Sequence, residues 1–147
     1  MIVNRNANNK DGLHVIVRLH SLHQAFHQYL DKVAAASNNL HTIDLLIELR
    51  RFNIECISSY TGLLSKNHIF QPRKKDEVLK SMRLVKEEDM ALWSIHSQLS
   101  RLMPLYQNAL NHRSMNQVYR LMVSRNFDQL VSIKEQLLHP IESMEVV

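Results

Sequence analysis

The chain has 147 residues, 45% of them hydrophobic and 22% charged, with 18 Lys+Arg against 14 Asp+Glu. That length suits one domain with its own core, and that balance excludes both a disordered chain and a membrane-embedded one. With only two glycines and three prolines, turns are too few for a β-rich protein, so long helices are expected.

Residues 1–11 are polar and Asn-rich and read as an N-terminal tail, with Asp11 placed to cap the first helix. Val15, Leu19, Leu22, Phe26, Tyr29, Val33 and Ala36 then recur in steps of four and three, which predicts that helix over about 12–36. Ser37-Asn38-Asn39 breaks the pattern. A second helix is predicted over about 40–65, with Leu40, Ile43, Leu46, Ile47, Ile54, Ile57 and Leu64 inward and Leu45, Leu49, Phe52, Cys56 and Leu63 widening the face. Residues 65–75 read as a loop around Pro72. A third helix is predicted from Asp76 to about Met103, roughly 42 Å long, ended or kinked by Pro104. Its stripe is Val78, Met82, Val85, Asp89, Leu92, His96, Leu99, Met103 and Tyr106, and a short helical turn is expected at 105–113. Ser114 with Gln117 makes a capping-box pattern for a fourth helix over about 114–139, carrying Tyr119, Val123, Asn126, Leu130, Ile133 and Leu137. Residues 140–147 are expected as a C-terminal tail. The fold expected is all-α, an up-down-up-down antiparallel four-helix bundle over 12–139.

Several chemistries lack their residues. There is no glycine loop for a phosphate, no Gly-x-Ser-x-Gly elbow and no His-Glu-x-x-His. The single cysteine, Cys56, excludes an intrachain disulfide and a Cys-pair zinc site, and inside an apolar helix it reads as a buried structural thiol. Cysteine usage, the absence of a 20-residue apolar run and a polar N-terminus point to a cytoplasmic protein without a membrane span.

Polar residues on the predicted seams hold more information. Asp89, His96 and Asn126, with Arg50 on the apolar side of the second helix, are expected to pair across the bundle and set helix register. His20, His23 and His27 line one flank of the first helix and are expected to be solvated; His23 and His27, one turn apart, have chelating spacing. Glu48, Arg51 and Glu55 form a charged stripe on the second helix, where paired surface charge is the usual meaning. Arg73-Lys74-Lys75 is the only basic run; Asp76-Glu77 comes directly after it and no aromatics interleave, which disfavours nucleic acid. Met90 and Trp93 lie off the seam and either extend the core or form an exposed apolar patch of the kind that marks a subunit or partner contact.

Three stretches, Asp44-Leu45-Leu46-Ile47-Glu48 with Ser59-Tyr60, Glu87-Glu88-Asp89-Met90-Ala91-Leu92, and Arg125-Asn126-Phe127-Asp128-Gln129-Leu130, resemble a family of bacterial ferritin-like four-helix-bundle proteins of uncharacterised function. The resemblance implies an antiparallel bundle with iron, manganese or zinc held between helices, and Glu48, Glu88 and Asp89, with His96 from the seam, are the candidate ligands. The chain departs from the ferritin-like pattern in having no Glu-x-x-His; Phe127 stands where an imidazole is expected. The function expected first is a non-enzymatic bundle that works through protein contacts, as a homo-oligomer or with another helical protein. A ferritin-like metal binder with an atypical carboxylate and histidine site comes second, and a weak nucleic-acid accessory protein third.

Overall fold

The computed structural model describes residues 12–36, 40–69 and 88–145. They form four helices: α1 (Leu13–Ala36), α2 (Leu40–Lys66), α3 (Glu88–Leu110) and α4 (Gln117–Glu145). No strand occurs among the described residues, and none of these helices is long and apolar enough to cross a membrane.

Each helix presents an inward stripe spaced alternately three and four residues apart. In α1 it is Ile16, Leu19, His23, Phe26, Leu30 and Val33; in α3 it is Leu92, Ile95, Leu99, Leu102, Tyr106 and Ala109. In α2 the buried series is Thr42, Leu46, Leu49, Asn53, Cys56, Tyr60 and Leu63. This shifts the face expected for α2: Ile47 and Ile54 are half exposed, and the residues expected to widen the stripe form its centre. The reason is that two polar residues and a tyrosine occupy seam positions, so an apolar count alone finds the wrong phase. Hiding one leucine or isoleucine in these stripes contributes roughly 1.5–3 kcal/mol, so the stripes dominate the fold.

The ends are set by particular groups. The Gly12 carbonyl accepts the Val15 and Ile16 amides at the start of α1. Gly12 has φ +77°, which favours glycine, and a Cβ there would crowd Met115 at 3.1 Å. Asp11 lies outside the described residues. At the end of α2 the Ile69 amide reaches back to the Leu64 carbonyl at 2.8 Å and the His68 amide to Ser65 at 3.0 Å, with His68 left-handed at φ +59°. These bonds form a Schellman stop with histidine where glycine is usual.

Two prolines do not end helices as expected. α3 runs through Pro104 to Leu110 and α4 runs past Pro140 to Glu145, so the expected tail at 140–147 is helical as far as 145. Pro104 is exposed, where water can satisfy the carbonyl deprived of its amide. The cap of α4 is also displaced: Asn116 Oδ1 accepts the Val118 amide at 2.9 Å, while the Ser114 amide is drawn to His112 Nδ1. Arg120 then donates to the Leu110 carbonyl at the end of α3 and to the His112 carbonyl, which also accepts the Met115 amide. The expected helix start at Asp76, the loop through Pro72 and the run Arg73-Lys74-Lys75 lie outside the described residues.

α1 packs most extensively on α2, and α3 on α4; the two hairpins meet more sparsely, α1 against α3 and α2 against α4. Among the described residues, consecutive helices α2 and α3 are therefore not the packed neighbours that the expected up-down-up-down order would make them. Along α1 and α3 the contacts run in opposite senses. They are His14 with His112, His23 with Tyr106, and Tyr29 with Ser94. On α2 and α4, Asn67 meets Tyr119. The end of α2 and the start of α3 thus lie at opposite ends of the bundle.

His68 carries a left-handed cost of roughly 1–2 kcal/mol that glycine avoids. His68→Gly is expected to raise the unfolding free energy by about 1 kcal/mol in urea melts; an unchanged or lower midpoint would contradict this reading of the turn.

Candidate functional site

The most concentrated chemistry in the described residues lies in the centre of the bundle, built on His23. Its side chain is fully buried, with Nδ1 2.6 Å from Asn53 Oδ1 and Nε2 2.6 Å from the Tyr106 hydroxyl. The Tyr106 hydroxyl is in turn 2.8 Å from that of Tyr60. Asn53 Nδ2 donates to the His23 carbonyl at 2.8 Å. Because a carbonyl only accepts, this bond orients the amide, and Asn53 Oδ1 must accept from Nδ1–H.

Burial, the largest influence, lowers the His23 pKa to about 4; Asn53 opposes this and His20 adds to it. The ring is therefore neutral near pH 7. A neutral imidazole has one donor and one acceptor, and with Nδ1–H committed to Asn53, Nε2 accepts from Tyr106 O–H. Tyr106 then has only its lone pairs left, so Tyr60 O–H donates to it. One protonation state of one ring orients the whole chain, from Tyr60 through Tyr106 and His23 to Asn53.

The surroundings keep these groups inert. Burial raises the Tyr60 and Tyr106 pKa values and pushes the Cys56 thiol up to about 12. Cys56 is wholly buried, as expected from its place in an apolar face. The His23 ring packs edge-on against Tyr106 and Phe52, and Phe127, which the family resemblance places at an imidazole position, lies against the Tyr106 ring at 5.9 Å. Both ends of the chain, Asn53 and Tyr60, have no exposed surface.

The sequence-derived candidates fall in several places. Asn126 is buried as expected, directed at Tyr60, with Nδ2 unpaired among the described residues. Arg50 is instead part-exposed and paired with Asp31 of α1 at 2.6 Å, because its long side chain reaches the neighbouring helix at the surface. His96 is half-buried beside Trp93, and its pKa is lowered by burial and by Lys134 of α4, a cation that opposes metal binding. Glu48 is exposed on α2 with Arg51 and Glu55. The Glu88, Asp89 and Met90 side chains lie outside the described residues. Trp93 is 44% exposed, on the surface and not in the core.

His20 and His23 overturn the expectation of a solvated flank. The buried arc of α1 is wider than one seam, and His20 Nε2 pairs with Thr61 at 2.8 Å while His23 enters the central chain. Only His27 is at the rim, 3.5 Å from Asp31. Among the described residues no three His, Cys, Asp or Glu side chains gather in a metal-binding arrangement. Asn53 escapes an apolar reading of the sequence because it is polar, although its spacing from Leu46, Leu49 and Cys56 marks a seam position. Comparison with known proteins finds no matching family model, curated protein or solved structure.

An unfolded histidine takes up a proton near pH 6.5 that folded His23 refuses until about pH 4. Its contribution is therefore complete above pH 6.5 and is lost as pH falls towards 4, about 3 kcal/mol in all. His20 and His96 shift in the same direction. Urea melts across this window are expected to show that loss, and His23→Gln to flatten much of it. Stability independent of pH across the window would refute the neutral-ring assignment.

Proposed function

We propose that this protein is a non-enzymatic helical bundle that works through protein contacts, with a second copy of its own chain as the first partner. The observation that carries this reading is the apolar surface the bundle does not use. Val118 and Leu121, one turn apart on α4, are 67% and 65% exposed, and Ile47 and Ile54 project from the outer face of α2. Aliphatic side chains repeated at helical spacing on an outer face are placed to pack against another helix. The central bases and nucleophiles support the same reading, since they are sealed and held in unreactive protonation states.

Sedimentation velocity is expected to give a species larger than the monomer. Val118→Glu with Leu121→Glu, or Ile47→Glu with Ile54→Glu, should shift it to the monomer with little change in melting temperature. A monomer at the highest attainable concentration would end the self-association reading.

A second reading, a ferritin-like metal binder, is favoured by helix order: two hairpins in which the end of α2 and the start of α3 lie at opposite ends of the bundle, the order of ferritin-like bundles with one long crossover. Glu88, Asp89 and His96 are its candidate ligands near the start of α3, whereas Glu48 faces solvent. This reading expects iron, manganese or zinc in natively purified protein by elemental analysis, at one or two ions per chain. No bound metal and no uptake on titration would remove it.

A further inference from the structure

The sparse joint between α1 and α3 leaves a groove of about 190 Å³ on the flank of the bundle. Its floor includes Leu22 and Phe26 of α1 and Leu102 of α3. Arg18 of α1 and Arg101 of α3, both exposed, stand at its edges. Neither guanidinium has an ion-pair partner among the described residues; Asp31, the acidic residue of α1, is engaged by Arg50 and His27. Gln98 completes the polar part of the lining. It is only 8% exposed, and its Oε1 is buried with no hydrogen-bond partner among the described residues.

Each feature selects a ligand property. Two cations across a groove attract an anion, and guanidinium groups suit a carboxylate because their paired N–H groups match its two oxygens. An apolar floor between them favours a hydrocarbon body. A buried amide oxygen without a donor is unfavourable, and a ligand hydroxyl or N–H can satisfy it once the Gln98 side chain turns that oxygen, closed to water as it stands, towards the ligand. The volume is below the usual range for drug-sized ligands, so the molecule is small.

We infer that the α1/α3 groove binds a short amphipathic carboxylate, its head between Arg18 and Arg101, its chain over Leu22, Phe26 and Leu102, and a donor on that chain meeting Gln98 Oε1. The site is independent of how copies of the chain associate, since it uses neither Ile47 and Ile54 nor Val118 and Leu121.

The test uses the full chain and three probes below their micelle concentrations: octanoate, 3-hydroxyoctanoate and octylamine. Binding is followed by amide chemical shifts and calorimetry. Octanoate should bind with shifts at Arg18, Gln98 and Arg101, 3-hydroxyoctanoate should bind more tightly, and octylamine should not bind there. Arg18→Ala and Arg101→Ala, both at exposed positions, should each weaken octanoate by about tenfold or more, since a charge-assisted bond contributes about 1.5–3 kcal/mol. Gln98→Met should remove the preference for the hydroxyl while octanoate still binds. Failure of both acids to bind, equal binding of octylamine, or insensitivity to both arginine variants would overturn the site. Equal binding of the two acids to the unmodified chain would overturn the role given to Gln98.

Discussion

An imidazole in the middle of four helices has few acceptable states, and that constraint organises this bundle. Charged, His23 would have to hold a proton away from water with no carboxylate beside it; neutral, it needs one acceptor and one donor at fixed angles. Asn53 and Tyr106 supply these at 2.6 Å each, and Tyr60 completes the series. Leaving any one of these groups unpaired in the interior would cost about 1–3 kcal/mol, a large share of a small domain's stability. The layer thus acts on register. Sliding α1, α2 or α3 by about one helical turn would keep much of the greasy contact but separate His23 from Asn53 or Tyr106, so apolar packing supplies most of the attraction and the polar layer selects one alignment.

The ends of the bundle reinforce that alignment. Gly12 closes on Met115, bringing the start of α1 against the turn between α3 and α4. At the same end Asn67 donates to Tyr119 at 3.0 Å, and Arg120 donates to the Leu110 and His112 carbonyls. The first two contacts tie the two hairpins together at one pole, and the Arg120 bonds close the α3/α4 hairpin there. Farther along, Tyr29 meets Ser94 at 3.1 Å, the same pair of helices seen past the central layer. Four helices with few glycines are thereby held at a pole and a middle layer.

Much of this architecture is legible in the sequence. Helix number, the starts of α1 and α2 and the seam of α4 can be read from apolar spacing, because burial demands it wherever helices pack. What resists reading has physical causes. The phase of α2 is masked because Thr42, Asn53 and Tyr60 fill seam positions while Ile47 and Ile54 face outward, so hydropathy and burial disagree residue by residue. His23 looks like one of a solvated trio, since nothing local reveals that its partners come 30 and 83 residues later. Pro104 looks like a terminator because its cost depends on whether the freed carbonyl meets water, a tertiary fact. Helix order is equally non-local: a pattern of stripes is the same whether α3 packs beside α1 or beside α2.

The three buried amides separate the two kinds of joint in this molecule. Asn53 lies within the α1/α2 hairpin, where contact is close, and both ends of its amide are bonded. Gln98 faces the α1/α3 seam and Asn126 faces Tyr60 across the α2/α4 seam, and each has a buried polar atom with no partner among the described residues. Hydrogen bonds tolerate errors of only a few tenths of an ångström, so the amides at the two sparse seams stay part-bonded, although ring and guanidinium nitrogens of His20, His27, Arg50 and His96 that are unmet among the described residues also lie within the hairpins. A small molecule that binds this protein gains most at such a seam, where it fills space and meets an unbonded group without breaking the central layer.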